Sequence, residues 1–323
     1  MRFPLESVSL KVSKDCVGMR LDQAIAAESE LSRGKARKII DLGGCYLNRK
    51  RIRRSSQPVK EADKIQIYWR DEELDRLKQI SQLLQPQDII FEDAHVLAMN
   101  KPAGLPAQGT RTQDRFHMEA QVQSLMQSTR GRAPALRMIH RLDRDTTGVM
   151  IFAKSKKAYQ FYSEAFAQRK VEKEYHALCH GIPSEERWTQ TEPLSKIHAS
   201  AGRVYVDFDQ GLTAETHFEV ITRFEEDQLT LIRCRPITGR THQIRAHLDY
   251  RNLPVVGDRN YGIDCFSSLR PTLQTFAKEQ HMLHARGLCI PYLRGEASKK
   301  IVAIYPLAMA STLEELGVST LKD

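Results

Sequence analysis

The stretch Ile139–Gly148 concentrates groups that can do chemistry. Its letters IHRLDRDTTG place one histidine, two arginines and two aspartates between two apolar segments. A carboxylate in a sheltered position can act as a nucleophile or a base, and a nearby arginine keeps it ionised. So many charged groups cannot all point into a core. Two interpretations stay open: a reactive cluster around one of the aspartates, or a salt-bridged turn in which Asp145 and Thr146 cap the local backbone.

A second group of polar residues precedes a predicted helix. Residues 236–248 have the letters PITGRTHQIRAHL. A helix is predicted after Thr241, because Ile244 and Leu248, four residues apart, would share one face of it. Thr241 is predicted to be the N-cap of this helix. Arg245 therefore lies near the start of that helix.

The sequence contains no pattern typical of a metal or cofactor site. The six cysteines lie far apart, without a Cys-x-x-Cys pair, which is typical of reduced thiols in a chain of this length. The pairs His176/His180 and His281/His284 have the spacing of chelators, but lack a cysteine or carboxylate partner at a familiar metal spacing. Dinucleotide-binding signatures are missing as well. We therefore predict a reaction that uses neither metal nor cofactor.

The chain from about residue 86 onward is predicted to be rich in strands. Strands are predicted at 89–91, 96–99, 149–153, 173–179, 216–220, 229–232, 281–293 and 299–306. A helix followed by a flexible basic loop at 129–132 is predicted within residues 111–132. Further helices are predicted from the N-cap Ser155 to about residue 169 and at 310–317. Glycine and proline shape loops at 100–106 and 255–262. Few strands are joined through helices, which favours an α+β fold: a mixed, largely antiparallel sheet with flanking helices.

Length and composition limit the class of protein. A chain of 323 residues is long enough for two domains. A hydrophobic content of 41% and a charged content of 28% exclude wholesale disorder. No run approaches the roughly 18 apolar residues of a membrane span, and the N-terminus lacks the apolar run of a secretory signal. We predict a cytoplasmic protein without membrane contact.

Positive charge is concentrated at one end of the chain. The net charge is +9, and residues 1–70 contain 16 Lys/Arg against 8 Asp/Glu, whereas the other 253 residues contain 33 against 32. Residues 71–85 are acidic and then glutamine-rich. These shifts predict a basic domain at 1–70, a linker at 71–85 and a second domain at 86–323. A basic module suits a polyanionic partner, although a solvated lysine-rich face is the simpler alternative.

The basic domain is predicted to be a small α/β unit. Ser32 caps a helix over 33–42, which Gly43 and Gly44 end, and a strand follows at 65–69. Between residues 33 and 54 there are nine Lys/Arg and a single acid. Such a concentration suits contacts with phosphates, which position a nucleic acid without reading its sequence.

This order of elements, with the letters YLNRKRI at 46–52, resembles the small RNA-binding domain first seen in small-subunit ribosomal protein S-four. The resemblance implies binding to folded RNA. The contacts that it implies are made by basic residues of the second helix and of the hairpin: Arg33, Arg37, Lys38, Arg49, Lys50, Arg51, Arg53 and Arg54.

Four motifs of the larger domain resemble the RluA family of pseudouridine synthases in order and spacing. They are NKPAGLP at 100–106, HRLDRDTTGVMIFAKS at 140–155, KEYHALCHG at 173–181 and PITGRTHQIRAHL at 236–248. HRLDRDTTG is highly specific, whereas KPAG or GRTHQ alone would be weak. The resemblance covers about residues 86–310, and with the basic domain nearly the whole chain looks like a ribosomal-RNA pseudouridine synthase.

The resemblance implies a role for individual residues. Asp143 matches the catalytic aspartate of the family, whereas Asp145 matches a structural turn. Tyr175 matches the tyrosine that stacks on the target base, and Arg245 matches the arginine paired with the catalytic carboxylate. Arg141 matches the residue that enters the RNA stack when the uridine flips. Further motif residues are implied to bind the substrate: Lys101, His140, Arg240, His242 and Leu248.

The implied activity is the isomerisation of uridine in RNA, with large-subunit ribosomal RNA as the expected substrate and transfer RNA as the alternative. The resemblance also implies a cleft across the sheet with Asp143 at its floor; we expect a monomer. Two other classes stay open. A non-catalytic RNA-binding or ribosome-assembly factor would have no reason to keep both Asp143 and Arg245. A glycoside hydrolase would need a second carboxylate on the opposite face, and Asp145 is too near in sequence.

Overall fold

The computed structural model of the chain describes residues 5–71, 74, 84–109, 116–131, 135–196, 202–278, 280–293 and 297–319. The chain divides into two compact units. The N-terminal unit comprises Met1–Gln85 and Pro106–Arg132, and the C-terminal unit comprises Pro86–Leu105 and Ala133–Asp323. Residues 106–132, which begin with the last residue of the NKPAGLP motif, therefore group with the basic domain. Most of the predicted linker at 71–85 lies outside the described residues.

A four-stranded antiparallel sheet organises the N-terminal unit. Its elements are β1 (Glu6–Lys11), α1 (Leu21–Glu28), α2 (Arg33–Leu42), β2 (Cys45–Leu47), β3 (Lys50–Ile52), β4 (Lys64–Trp69) and α3 (Met118–Arg130). The strand order is β1-β4-β2-β3. The apolar side chains of α1 and α2 pack with those of β4 in one core.

Helix α2 forms as the sequence predicts. The hydroxyl of Ser32 accepts a hydrogen bond from the backbone N–H of Lys35 at 3.2 Å. The helix ends at Gly43, whose φ of 88° lies in the left-handed region that glycine adopts at no steric cost. Ile39 and Ile40 are buried, so the basic residues lie on the other side. The predicted helix is confirmed.

Helix α3 extends further than predicted. The flexible loop predicted at 129–132 is wrong at its start, because Thr129 and Arg130 still belong to the helix. Gly131, with a φ of 70°, ends it. The chain stays helical until a residue that tolerates the left-handed conformation is reached. The first part of the predicted helix and Arg132 lie outside the described residues.

A ten-stranded sheet organises the C-terminal unit. Its strands are β5 (Ile89–Glu92), β6 (Val96–Lys101), β7 (Arg137–Met138), β8 (Thr147–Ala153), β9 (Glu172–His180), β10 (Arg187–Gln190), β11 (Thr216–Phe224), β12 (Leu229–Pro236), β13 (Leu283–Pro291) and β14 (Ser298–Val302). Its helices are α4 (Lys156–Ala167), α5 (Gln243–Tyr250), α6 (Pro271–Ala277) and α7 (Leu307–Glu315). The strand order is β10-β11-β12-β9-β13-β8-β6-β5, with β14 beside β13 and β7 beside β8. Only the pair of β8 with β13 is parallel among the described strands, so the predicted mixed, largely antiparallel sheet is confirmed.

Strand β8 holds the charged loop that precedes it in the sequence. All 7 of its residues are buried. Its Gly148 has a φ of 108°, and a Cβ atom there would lie 2.2 Å from the carbonyl oxygen of Ala285 in β13. Only glycine permits this approach. The loop at 139–146 is therefore fixed where β8 meets β13.

Helix α5 begins at Gln243, so the predicted cap at Thr241 is wrong. His242 precedes the helix with a left-handed φ of 56° and makes no side-chain cap bond. The side chain of Gln243 closes the turn instead. Its Oε1 accepts hydrogen bonds from the N–H of Arg240 at 2.9 Å and from the hydroxyl of Thr238 at 2.7 Å.

The end of the chain differs from the prediction at Pro306. Strand β14 ends at Val302 rather than at 306, and helix α7 begins at Leu307 rather than at 310. Proline lacks the N–H that a strand ladder needs, which favours an end of the strand before it. Its φ of −66° and extended ψ of 153° suit the position before a helix.

Candidate active site

Asp143 lies in the loop between β7 and β8. Its side chain is 26% exposed. The backbone N–H of Thr146 donates to the carbonyl oxygen of Asp143 at 3.2 Å, which closes a tight turn. The carboxylate is thus sheltered but keeps an open side toward solvent.

Helix α5 brings Arg245 to this carboxylate. The Nη1 atom of Arg245 donates to Oδ2 of Asp143 at 2.9 Å, although the two residues are 102 positions apart in the sequence. The arginine side chain is only 6% exposed. The structure therefore brings together two motif residues at the charged loop of β8.

Asp258, which the sequence reasoning missed, holds the other side of the guanidinium. Nε and Nη2 of Arg245 donate to its two carboxylate oxygens at 2.6 and 2.8 Å. Its side chain is fully buried. Oδ1 of Asp258 also accepts from the N–H of Asn260 at 2.9 Å. An aspartate two residues before an asparagine, in a loop with glycines, was a detectable signal for such a turn.

The charges of these three residues stabilise one another. Burial alone would raise the pKa of Asp143, but His242 and Arg245 outweigh it and hold that pKa below its ordinary value of 3.8. Burial would also raise the pKa of Asp258, but the hydrogen bonds and the charge of Arg245 outweigh it and lower that pKa. Burial would lower the pKa of Arg245, but the hydrogen bonds and charge of Asp258 and the charge of Asp143 raise it. Asp143 is therefore an anion at neutral pH.

His281 connects Asp258 to the turn that carries Asp143. Its Nδ1 lies 3.7 Å from Oδ2 of Asp258, and its Nε2 lies 3.0 Å from the hydroxyl of Thr146. Burial, followed by the charge of Arg245, lowers the pKa of His281. The neutral ring thus hydrogen-bonds to the turn that carries Asp143 and lies beside the Asp258 carboxylate without a hydrogen bond to it.

Two aromatic residues complete the surroundings of Asp143. The hydroxyl of Tyr261 lies 3.1 Å from Nδ1 of His242, whose Nε2 lies 3.8 Å from Oδ2 of Asp143. The ring of Tyr261 lies 4.9 Å from the guanidinium of Arg245. Tyr175 is half-buried on β9, and burial followed by the charge of Asp143 raises its pKa. Tyr175 therefore stays a neutral phenol near the carboxylate.

The other predicted residues fall into two groups. Arg141 and Arg240 are exposed, and Nε of Arg240 donates to the carbonyl oxygen of Thr213 at 2.9 Å. Leu248 is fully buried in the core. His140 accepts from the N–H of Ile151 at 3.1 Å and stacks on a phenylalanine of α4, and burial lowers its pKa to about 3.

Lys101 is buried beneath the charged loop. Its ammonium donates to the carbonyl oxygens of Pro102, Arg144 and Thr146 at 2.9, 2.7 and 2.8 Å. Burial lowers the pKa of Lys101 to about 7, although the charges of Asp145 and Asp143 oppose this. Its three donors tie the KPAGLP segment to the loop that carries Asp143.

Replacing Lys101 with methionine is expected to lower the free energy of unfolding by about 3 kcal/mol, because one buried and two partly buried carbonyl groups lose their donor. Urea denaturation followed by circular dichroism measures this loss. Lys156 is exposed at the start of α4, so Lys156→Met is the control and should stay within about 0.5 kcal/mol of the unaltered chain. Equal stability of the two variants would show that the lysine does not hold the loop.

Neither a metal cluster nor a membrane-spanning helix occurs within the described ranges. There, no group of three or more histidine, cysteine, aspartate or glutamate side chains has the geometry to hold a metal ion. No helix in the same ranges is long and apolar enough to cross a membrane.

Comparisons with known proteins identify the family. The model of the RNA pseudouridylate synthase family matches residues 95–250, and that of the S4 domain matches 19–65. A protein of Aquifex aeolicus named "Uncharacterized RNA pseudouridine synthase" is 31% identical over 278 residues, which cover 83% of this chain and 84% of that protein. The chain belongs to the RNA pseudouridine synthase family. It is therefore an isomerase that acts on RNA.

Other members of the family agree with this assignment. Ribosomal large subunit pseudouridine synthase C of Escherichia coli is 31% identical over 269 residues, which cover 80% of this chain and 81% of that protein. The solved structure of human RNA Pseudouridylate Synthase Domain Containing 4 aligns with a TM-score of 0.58 and 25% identity, covering 72% of this chain and 93% of that one. Within this family the chain is of the RluA type, as the four motifs implied.

The S4 match coincides with the basic surface of this synthase. Asp22 is fully buried and binds Nε of Arg20 and of Arg33 at 3.0 Å each, with Nε of Arg37 at 3.9 Å. Burial would raise the pKa of Asp22, but the hydrogen bonds of Arg20 and Arg33 lower it. Arg33 and Arg37 nevertheless keep 50% and 56% of their side chains exposed. Asp22 thus orients two of the predicted RNA contacts.

The hairpin of β2 and β3 displays the other predicted contacts of the synthase. Arg49 has a φ of 67° in the turn, and Arg51 donates to the hydroxyl of Tyr46 with its Nε at 3.1 Å. Nε of Arg54 donates to the hydroxyl of Ser56 at 3.0 Å. The exposed basic residues of α2 and the hairpin are Arg33, Arg37, Lys38, Arg49, Lys50, Arg53 and Arg54.

Proposed function

We propose that this chain converts uridine to pseudouridine in large-subunit ribosomal RNA, with Asp143 as the catalytic carboxylate. The observation that carries the proposal is the distance of 2.9 Å between Oδ2 of Asp143 and Nη1 of Arg245. Relatives named ribosomal large subunit pseudouridine synthase C support ribosomal RNA as the substrate. Transfer RNA is the alternative substrate.

The reaction is balanced within the nucleotide. The bond between N1 of uracil and C1′ of ribose breaks, the base rotates, and a bond forms between C5 and C1′. C5 loses a proton and N1 gains one, so nothing is oxidised or reduced. Asp143 must be an anion on either of two alternative routes, attack on C1′ or removal of a ribose proton. The lowered pKa of its carboxyl group supplies that anion at neutral pH.

A uridine within an RNA helix must leave the stack before it reaches Asp143. Unstacking and unpairing cost a few kcal/mol. In this proposal Arg141 fills the vacated space, and Tyr175 stacks on the flipped ring. Arg240 and His242 bind the substrate beside the carboxylate. Three motif residues position the loop and helix α5 instead of touching the nucleotide: the buried Lys101 and Leu248 and the partly buried His140.

The N-terminal residues supply RNA affinity in this proposal. We divide the chain into an RNA-binding domain at 1–70, a linker at 71–85 and a catalytic domain at 86–323. The S4 match at 19–65 and the synthase match at 95–250 support this division. A monomer working in the cytoplasm remains a prediction.

Neutralising the β2–β3 hairpin is expected to weaken RNA binding at least tenfold and to flatten its salt dependence. The slope of log Kd against log salt should fall by about 1 for each phosphate that the hairpin no longer neutralises. The variant carries the changes Lys50→Gln, Arg53→Gln and Arg54→Gln. The control removes three exposed charges elsewhere in the unit: Lys11→Gln, Lys14→Gln and Lys60→Gln. Equally weakened binding in both would contradict a specific role of the hairpin.

Tritium release tests the proposed function. Uridine labelled with tritium at C5 is incorporated into transcripts of large-subunit ribosomal RNA and of transfer RNA. We expect release from the ribosomal transcript, because only pseudouridine formation displaces that hydrogen. Release from the transfer RNA transcript alone would show that transfer RNA, and not ribosomal RNA, is the substrate. Binding without release from either would favour a non-catalytic factor, and free uracil that keeps its tritium would favour a glycoside hydrolase.

A further inference from the structure

The segment at 202–213, between β10 and β11, displays apolar side chains to solvent. We call it the aromatic loop. Phe208 is 70% exposed, and Tyr205 and Leu212 are 45% and 41% exposed. An exposed phenylalanine costs solubility, so its presentation on one side of a loop suggests a binding surface. Val204 and Val206 alternate with these residues and pack inward against Leu194, Ala214, Ala246 and Tyr261.

The turn that presents Phe208 is well built. Oδ1 of Asp207 accepts from the N–H groups of Asp209 and Gln210 at 3.1 and 3.0 Å. Gly211 donates its N–H to the carbonyl oxygen of Asp207 at 3.0 Å, and a Cβ atom on Gly211 would lie 2.1 Å from that oxygen. These contacts fix the backbone on both sides of Phe208, so little conformational entropy is lost when its ring binds a ligand.

Tyr261 joins the aromatic loop to the candidate active site. Its hydroxyl accepts from the N–H of Val204 at 2.8 Å and donates to the carbonyl oxygen of Val204 at 3.0 Å. The same ring lies 4.9 Å from the guanidinium of Arg245. The aromatic loop is therefore continuous with the residues around Asp143, through a single buried side chain.

Two exposed arginines flank the apolar side chains. Arg203 begins the aromatic loop, and Arg240 donates from Nε to the carbonyl oxygen of Thr213 at its end, at 2.9 Å. Asp209 is also exposed and opposes them. Aromatic rings combined with cations are typical of surfaces for single-stranded RNA, where the ring stacks on a base and the cations attract phosphates.

We propose that Phe208 stacks on an unpaired nucleotide of the RNA substrate beside the uridine that reaches Asp143. This inference rests on the proposed function, since the loop is continuous with that site. An RNA strand fits better than a protein partner, because the aromatic loop is continuous with the residues around Asp143 and an exposed arginine lies at each of its ends. Phe208 would thereby favour targets with an unpaired neighbour.

The first test uses fluorescence and does not depend on catalysis. The full-length variants Phe208→Trp and Leu307→Trp are titrated with the oligonucleotide rU12, and the emission of the unaltered chain is subtracted. Leu307 is 82% exposed at the start of α7, so it is the matched control. We expect quenching of the tryptophan at 208 and little at 307, because stacking on a base quenches indole. Equal or absent quenching at both positions overturns the proposal.

The second test measures tritium release from the ribosomal transcript. Phe208→Ala and Phe208→Leu should each lower kcat/KM about tenfold, Phe208→Trp should retain it, and Leu307→Ala should not change it. Unchanged kcat/KM in Phe208→Ala overturns the proposal and leaves a protein partner as the occupant. Release by the unaltered chain distinguishes the two claims: if it is absent, the proposed function fails, whatever the fluorescence shows.

Discussion

The variant Asp143→Asn is expected to lose pseudouridine formation by about four orders of magnitude or more, the scale seen when a single essential catalytic group is removed. Asparagine has the same shape and can still accept the hydrogen bond of Arg245, but it is neither a base nor a nucleophile. Fold and RNA affinity should therefore stay nearly unchanged. Single-turnover tritium release measures the rate, and thermal unfolding and RNA binding check the rest.

Asp145 offers a matched control two positions away. Asp145 lies 3.4 Å from Nε of Arg144, and the variant Asp145→Asn makes the same chemical change in the same loop. We expect its rate to stay within about tenfold of the unaltered chain, because Arg245 does not touch it. Loss of activity in Asp145→Asn with retention in Asp143→Asn would reverse the assignment of the two aspartates.

Replacing Arg245 with methionine is expected to reduce both stability and activity. The free energy of unfolding should fall by about 3–5 kcal/mol, because Asp258 is left as a buried, unpaired carboxylate. The rate of pseudouridine formation should fall at least about 100-fold, because the charge beside Asp143 is lost. The double variant Arg245→Met with Asp258→Asn separates the two effects. It should regain most of the stability and none of the activity.

The pH dependence of stability and of kcat/KM shows how the charge of Arg245 acts on the ionisation of Asp143. In the unaltered chain the pKa of Asp143 lies below 3.8, so its ion pair contributes stability above that pH and the contribution is lost as pH falls further. Without Arg245, burial acts against fewer opposing charges and raises this pKa. The acid limb of kcat/KM should therefore move to higher pH in both variants.

A double variant that regained stability and activity together would show that Arg245 acts only through the fold.

The sequence predicted much of this arrangement from local patterns. A continuous apolar run predicted β8, and caps and alternation predicted α2 and most of the sheet, because apolar patterning reports burial directly. The cap at Thr241 was wrong, because the side chain of Gln243, two residues later, closes the turn before α5. Propensity for a cap cannot foresee a competing side chain that reaches back to the backbone.

Asp258 shows where local patterns end. Its importance comes from a buried guanidinium that approaches from helix α5, and nothing within its own loop indicates that partner. Lys101 is similar: the family resemblance implied a substrate contact, yet its three donors bind carbonyl oxygens of its own segment and of the charged loop. Both roles depend on tertiary contacts that close only when the strands pair.

Mapping of pseudouridine at single-nucleotide resolution tests the central claim most directly. Total RNA is compared from a strain that lacks the gene, the same strain with the unaltered gene, and the same strain with Asp143→Asn. We predict at least one position in large-subunit ribosomal RNA that is modified only when the unaltered gene is present. Identical maps in all three strains would contradict it.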